Sequence, residues 1–447
     1  MDRQYDHGAG ASVGVMGEGT VQRAPAEEVA SEYLFSTASI EDPFPFYATL
    51  RRDRPLARIG DSGVHTVATW DLIEEALGRQ DDFSANLTGV LMRGDDGAPT
   101  TFAFPGVGAN QVIATADEPD HAVHRSLVQP KLSPRRIAGL EDALRGWTSE
   151  SLEPWLRTRG GDFVPVAEII PAHVVAHLLG LPGEDVGRFR TWAMMGGDIL
   201  AGDVGQERLV SLAQETGNMA DYLAEHLDRQ MVAVGDGASE TNDEPLLRAL
   251  ARGVADGRLD RLQAVGISVV MFGAAGESTA ALLGSCVRRL AEDQGLQRTL
   301  RADRALIPRF VEEVVRLEPP FKFHYRVVRR ACELGGFALE EGDRLMLLWA
   351  SANRDAAVFD DGDSLRLDRK YPRHHMSFGR GAHFCVGARL ARLEARVVIE
   401  ALLDGTRALR VGADPGRAAG EARRAVEYSP SIFVRRLDHL FLEAELA

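Results

Sequence analysis

The sequence predicts a mainly α fold with small β-sheets, an α+β arrangement, and three observations lead there. From Ser133 to about Leu290 apolar residues recur at helical spacing. The interval Phe323 to Ala350 is rich in strand formers around a Gly335-Gly336 turn signal. After Cys385 helix returns, with Leu390, Leu393, Val397 and Ala401 three and four residues apart. No internal repeat and no linker divides the chain, so residues 31–447 are expected to form one domain behind a disordered stretch over 1–30.

Ordered patterning begins at Asp42-Pro43-Phe44-Pro45, with a helix through Phe46, Leu50 and Arg51. The alternating run His65 to Thr69 predicts a strand, and Asp71 to Leu77 a second helix. Gly89 to Asn110 is rich in Gly, Asp, Pro and Thr, with Phe102 and Phe104 among them, and predicts a long loop. Loops of that length in a compact domain are often functional. Within the helical half, breaks are expected near Pro165, Pro171 and Pro182 and across the polar segment Gly235 to Glu244. Val327-Val328 and Leu345 to Leu348 supply the strands that follow.

A chain of 447 residues with net charge −15 buries a large core and argues against nucleic-acid binding, which needs clustered Lys and Arg to neutralise phosphates. Met1 to Gly19 lacks a basic end followed by an apolar core, and no later stretch approaches the roughly eighteen apolar residues that span a bilayer. A cytoplasmic protein without a membrane anchor, and a monomer, is expected. The three cysteines, Cys286, Cys332 and Cys385, are too far apart to indicate a disulfide framework or a zinc pair. Cys286, in an apolar helical run, and Cys332, in the β interval, are expected to pack as ordinary small side chains.

Cys385 differs. It lies between glycines in Ser377-Phe378-Gly379-Arg380-Gly381-Ala382-His383-Phe384-Cys385-Val386-Gly387, just ahead of an amphipathic helix that begins near Ala388. Glycines permit a tight turn with backbone N–H groups near the sulfur, and the positive end of a helix favours thiolate over thiol. Those features alone leave two readings open, a metal ligand or a buried hydrophobe.

The spacing Phe378-Gly379-x-Gly381-x-His383-x-Cys385-x-Gly387 matches without a gap the heme-binding signature of the cytochrome P450 family, and the chain resembles its soluble bacterial members. The resemblance implies a fold that holds heme b, iron protoporphyrin IX, between a long central helix and the cysteine loop. It makes Cys385 the thiolate ligand of the iron, which favours O–O cleavage. It places Phe378 beside that loop and sets His383 toward a propionate, with Gly387 completing the motif. Other family features follow in order. Glu313-Val314-Val315-Arg316 resembles the Glu-x-x-Arg helix, and Arg369 falls where the third member of its structural triad belongs. Arg326 resembles the propionate-binding arginine, and His121 and Arg125, one turn apart on a helix, would clamp the other propionate. His124 has no such match and is expected at the surface. Ala352 to Asp355 also matches a family segment, without an assigned role.

Val269 to Thr279 resembles the central helix, with Glu277 as the acid and Ser278 in the alcohol slot; a rival register puts Thr279 there instead. An acid that relays protons and a hydroxyl that orders water serve oxygen chemistry. The bland alternative is a small-residue patch that lets the helix approach a neighbour. The implied activity is monooxygenation of a small, largely apolar, ring-containing secondary metabolite with O2, supported by ferredoxin and ferredoxin reductase. No dinucleotide fingerprint points to a fused reductase. A ferredoxin would dock on a basic face carrying Lys370, Arg373, Arg380, Arg389, Arg392, Lys131, Arg135 and Arg136. The substrate pocket would be bounded by the Gly89 to Asn110 loop, the helix around Met271 to Leu282, the Phe321 to Tyr325 segment and the turn Ser429 to Phe433, with Phe323, Tyr325 and Phe433 as either an aromatic wall or core. Two alternatives remain: oxidative coupling of an aromatic substrate such as a tryptophan-containing cyclic dipeptide, toward which a serine in the alcohol slot points, and a heme sensor or carrier without catalysis. Product mass separates the first two, and turnover excludes the third.

Overall fold

The computed structural model describes residues 27–29, 31–103, 110–236, 243–413 and 425–447. The expectation of a disordered start therefore lies outside the described residues except at Glu27–Val29, a strand paired in parallel with Ala57 to Ile59.

The central helix organises the α half. Asp260 and Gln263 form a reciprocal cap at its start: the Asp260 carboxylate accepts the Gln263 N–H at 2.7 Å, and Gln263 accepts the Asp260 N–H at 2.9 Å. The helix then runs as Arg261–Phe272, one π-helical turn at Gly273–Glu277 and Ser278–Glu292. Contrary to the sequence expectation, Arg261–Glu292 is long and apolar enough to cross a membrane by length and composition, and 61% of its apolar window is buried inside the fold. It packs against helices Val164–Leu179, Ile307–Leu317 and Ala388–Gly405, so its apolarity is that of a core helix.

Helix Val164–Leu179 is buried on most sides, and Pro171 lies inside it rather than breaking it. The ring removes one backbone donor, but twelve buried residues of this helix are held by their neighbours, and that packing outweighs the local defect. Pro165 stands at the helix start, where no N–H is required.

The largest sheet has six strands in the order Glu27–Val29, Leu56–Ile59, Val64–Val67, Arg344–Leu347, His324–Val328 and Phe83–Ser84. Gly335 and Gly336 adopt positive φ, +57° and +85°, and make the predicted turn, which closes a short hairpin between Cys332–Leu334 and Phe337–Leu339. The stretch expected as a loop after Gly89 is instead a hairpin, Gly89–Arg93 against Pro99–Ala103. Its turn residues dominated the local composition and masked the short strands. Phe104 and the residues to 109 lie outside the described residues.

Phe323, Tyr325 and Phe433 are 1%, 7% and 5% exposed within a second core cluster, and the Tyr325 hydroxyl accepts the Leu91 N–H at 3.0 Å. Of the two readings for these aromatics, the structure favours core.

A buried charge knot joins the helical half to the cysteine loop. Glu313 and Arg316 each have no accessible surface. All five Arg316 N–H donors are used: two on the Glu313 carboxylate at 2.9 and 3.0 Å, and three on the carbonyls of Asn353, Gly362 and Ser364. Arg369 donates to Glu313 at 2.9 Å and completes the triad. Arg316→Met leaves buried acceptors without a donor and is expected to lower stability by about 3–5 kcal/mol, measured by urea unfolding.

Candidate active site

Gly379 and Gly381 shape the loop before Cys385, with φ of +66° and +69°, values that disfavour any other residue. The Cys385 N–H donates to the Phe378 carbonyl at 2.8 Å, and the N–H groups of Gly387 and Ala388 point at the sulfur. Cys385 keeps accessible surface, yet surrounding protein is dense enough that burial raises the thiol pKa, against the pull of those N–H groups and of Arg392 and Arg125. The lowered pKa expected from a helix start is therefore overridden by desolvation; a bound metal cation reverses that balance by holding the thiolate.

Asn353, for which the sequence offered no role, ties this loop to the charge knot. Its side-chain N–H donates to the Arg316 carbonyl and, at 2.7 Å, to the Ser377 hydroxyl, while its oxygen accepts the Met376 N–H at 2.7 Å. Glu312 reinforces the connection through His375 at 3.0 Å and Arg392 at 2.6 Å, and the Arg392 guanidinium lies over the Phe378 ring.

A set of unsatisfied donors fits the propionates of the expected iron porphyrin. His121 and His383 rings stand 4.0 Å apart, and His121 Nε2 and His383 Nδ1 are buried without hydrogen-bond partners. The remaining His121 nitrogen, Nδ1, bonds to Glu118 at 2.8 Å. Burial holds the His383 pKa down to about 3, with Arg326 and His121 adding to the effect, so the ring is neutral at physiological pH. Arg326 is 9% exposed and donates to its own neighbour's carbonyl, that of Tyr325; burial lowers its pKa to about 10. A buried guanidinium with no ion pair among the described residues is suited to an incoming carboxylate. Arg125, one turn beyond His121, donates to the Phe384 carbonyl at 2.8 Å. These residues fit heme: Cys385 would ligate its iron, and His121, Arg125, Arg326 and His383 would hold its carboxylates.

On the central helix the small-residue run serves two purposes. A Cβ on Gly276 would collide with Ala193, so this glycine allows helix Val186–Ala193 to approach. On another side Ala274 is exposed, and Val270 and Ser278 are half-buried, an accessible strip beside the buried Met271, Phe272, Gly276 and Glu277. The Ser278 hydroxyl donates to the Ala274 carbonyl at 2.6 Å across the π-turn. Thr279 is 3% exposed and lies away from that strip. Glu277 also turns inward: it is 1% exposed, accepts the Gly197 N–H at 2.6 Å and stands 3.7 Å from Arg436. Burial pushes its carboxyl up to about 8, opposed by Arg436 and the Gly197 N–H and assisted by Asp198 and Glu168.

Two surface expectations need correction. His124 is 1% exposed and its Nδ1 accepts the Ile113 N–H at 3.2 Å, so it is a buried structural residue. Lys131 is 8% exposed and paired with Glu244 at 3.1 Å, and Arg136 donates to the Glu244 carbonyl, so Lys131 does not belong to an exposed basic face. Arg125, Arg373, Arg389 and Arg392 do line a hollow of about 680 Å³ together with Phe378 and Cys385.

Known proteins resemble this chain along most of its length. The family model described as Cytochrome P450 matches residues 285–407. Cytochrome P450 144 of Mycobacterium tuberculosis is 40% identical over 418 residues, covering 92% of this chain and 91% of its own. Among solved structures, CYP109E1 from Bacillus megaterium in complex with testosterone superposes with a TM-score of 0.75 at 27% identity, covering 93% of this chain and 100% of its own. A mutant of P450 EryK in complex with erythromycin B gives 0.75 at 28% identity, covering 91% and 97%.

Arg326→Leu and His121→Phe are each expected to speed heme loss to excess apomyoglobin by about 10- to 100-fold, the effect of removing a charge-assisted hydrogen bond. Loss rates equal to the parent's would detach these residues from the cofactor.

Proposed function

The chain belongs to the cytochrome P450 family of heme b oxidoreductases, and from that premise we propose that it inserts one atom of O2 into a small, largely apolar, ring-containing metabolite, using electrons from a ferredoxin. The open strip of Val270, Ala274 and Ser278, backed by the buried acid Glu277, carries this reading. Heme bound through Cys385 supplies the reductive activation of oxygen.

The protein's own contribution is placement and proton supply. Ser278 is the alcohol in this assignment: its hydroxyl donates to Ala274 and keeps its oxygen as an acceptor at the accessible strip, whereas Thr279 is enclosed. Glu277 holds a proton at neutral pH because its environment disfavours the carboxylate. Arg436 links it to Asp198 at 3.5 Å, and Asp198 pairs with Arg208, whose side chain is 56% exposed, so a charged path runs from the acid toward solvent. Val270 and Ala274 offer only aliphatic surface, which suits an apolar substrate, and the two solved relatives hold a steroid and a macrolide, both ring compounds. On the cysteine side, exposed Arg389 and the 75% exposed side chain of Arg373 on a chain of net charge −15 present a local basic surface to an acidic electron donor.

Compounds that shift the heme absorption band are to be incubated with the holoenzyme, ferredoxin, ferredoxin reductase, NADPH and O2, and the product weighed by mass spectrometry. Gain of one oxygen atom is expected; loss of two hydrogens or formation of a dimer overturns the proposal.

Glu277→Gln is expected to slow turnover by about 100-fold or more. The raised pKa also fixes the pH profile. Glu277 is protonated below about 8 and able to donate, so parent turnover falls as pH rises through about 8, and this limb is absent from the Gln variant's steady-state profile.

A further inference from the structure

Lys322 is fully interior, at 2% exposed, and it joins two segments far apart in sequence. Its ammonium donates to the Ser431 carbonyl at 2.6 Å, its own N–H donates to the Phe433 carbonyl at 2.8 Å, and its carbonyl accepts the Ala350 N–H at 3.1 Å. Around it Phe321 bridges antiparallel to Val434, and the Arg435 N–H donates to the Pro320 carbonyl at 2.8 Å. The turn so fastened is itself tight: the Ser431 hydroxyl accepts the N–H groups of Phe433 and Val434 at 3.1 and 3.0 Å.

That turn reaches an aromatic cluster and the acid on which the proposed function rests. Phe433 stacks on half-buried Phe321 at 4.8 Å and meets Phe323 edge-on at 5.4 Å. Val434 abuts Gly197, where a Cβ would come within 2.6 Å of Val434 Cγ2 and would overlap the Glu277 carboxylate. Two residues on, Arg436 is the cation beside Glu277, and its side chain also donates to the Ser429 hydroxyl at 3.0 Å. Moving the turn therefore moves the aromatic cluster and the charge partner of the acid together.

A lysine is an expensive choice for a purely packing role. No carboxylate forms an ion pair with it among the described residues, and the charge that bears on it is the cation Arg435, itself paired with Glu318. Burial, with help from Arg435, pushes its pKa down to about 7. A methionine fills similar volume without desolvating a charge.

We propose that Lys322 is a positioning residue whose buried ammonium sets the placement of the 429–434 turn, and through it the shape of the substrate side and the setting of Glu277. The inference rests on the reading that this turn borders the substrate.

The test compares the parent holoenzyme with Lys322→Met, using 4-phenylimidazole and imidazole as heme ligands that share a nitrogen donor but differ in the ring projected into the pocket. The variant is expected to unfold at the same or a higher urea concentration and to keep its thiolate spectrum. Amides of Phe433 and Val434 should exchange about tenfold faster or more. Affinity for 4-phenylimidazole should change by about fivefold or more, while that for imidazole stays within about twofold. Unchanged exchange with unchanged affinities, or equal changes for both ligands, overturns the proposal. If Lys322→Met does not fold, Ser431→Ala loosens the same turn from its other side and is read by the same measurements, with the same outcomes deciding. Neither readout depends on whether the enzyme inserts oxygen or couples substrates, so failure here is separable from failure of the functional reading.

Discussion

Glu313 and Arg316 are held in the interior with no water to share, and much of the cysteine side hangs from their contact. A buried guanidinium is tolerable only when every N–H has an acceptor, and here the acceptors come from separate stretches: Glu313, then the carbonyls of Asn353, Gly362 and Ser364. Satisfying one side chain thus fixes the path of the backbone from 353 to 364. Asn353 carries the constraint onward, because its amide group bonds to the Arg316 carbonyl, Ser377 and Met376. The loop that presents Cys385 begins there, so the sulfur is placed by electrostatics buried some way behind it.

The central helix is governed by a different constraint. Where the cysteine side is fixed by saturated polar contacts, the turn at Gly273–Glu277 is shaped by what small residues allow. Gly276 lets a neighbouring helix close to contact with Ala193, and Ala274 leaves accessible space on the opposite flank. A π-turn spreads a helix by one residue and sends Ser278 and Glu277 to different environments, the hydroxyl to the open strip and the carboxyl inward. Close packing and an accessible strip are satisfied by the same stretch, so the small-residue reading of this run holds and leaves room for the proposed one.

What the sequence made legible follows from the range of each interaction. The cysteine loop is a local motif, with glycine conformations and Cys385 within a few residues, and the Glu313-Arg316 contact spans one helical turn, so both could be read directly. Asn353 could not, because its partners lie 24 and 37 residues away and no local pattern marks them. The same limit explains Lys131, drawn inside by Glu244 at a separation of 113 residues, and His124, which looks like a surface histidine until its contact with Ile113 is known. Pro171 shows the converse: a strong local signal for a break is overruled by burial on most sides of its helix. The register put Ser278 in the alcohol slot with Thr279 as its rival, and the face each takes on the folded helix, half-buried for Ser278 and enclosed for Thr279, is what the letters do not show.

The two governing constraints meet near the end of the chain. Arg435 and Arg436 are adjacent in an extended segment, and side chains in such a segment alternate in direction. Arg435 pairs with Glu318, the residue that follows helix Ile307–Leu317 and its charge knot, and Glu318 also receives Arg288 from the central helix. Arg436 turns the other way, to Glu277, Asp198 and Glu168. Arg208 and Arg190 pair with Asp198 and Glu168, whereas Arg436 is the one cation that forms an ion pair with Glu277 among the described residues; Glu277, the most enclosed of the three acids, is the one for which ionisation is hardest, and its neighbours Asp198 and Glu168 raise its pKa further. The protonated state of Glu277 is therefore a property of the group as a whole. A displacement of this segment would disturb the anchor behind the cysteine side and the acid Glu277 at once, which gives the two residues ahead of strand Leu437–Leu446 a hold on both sides of the site without contributing a ligand to either.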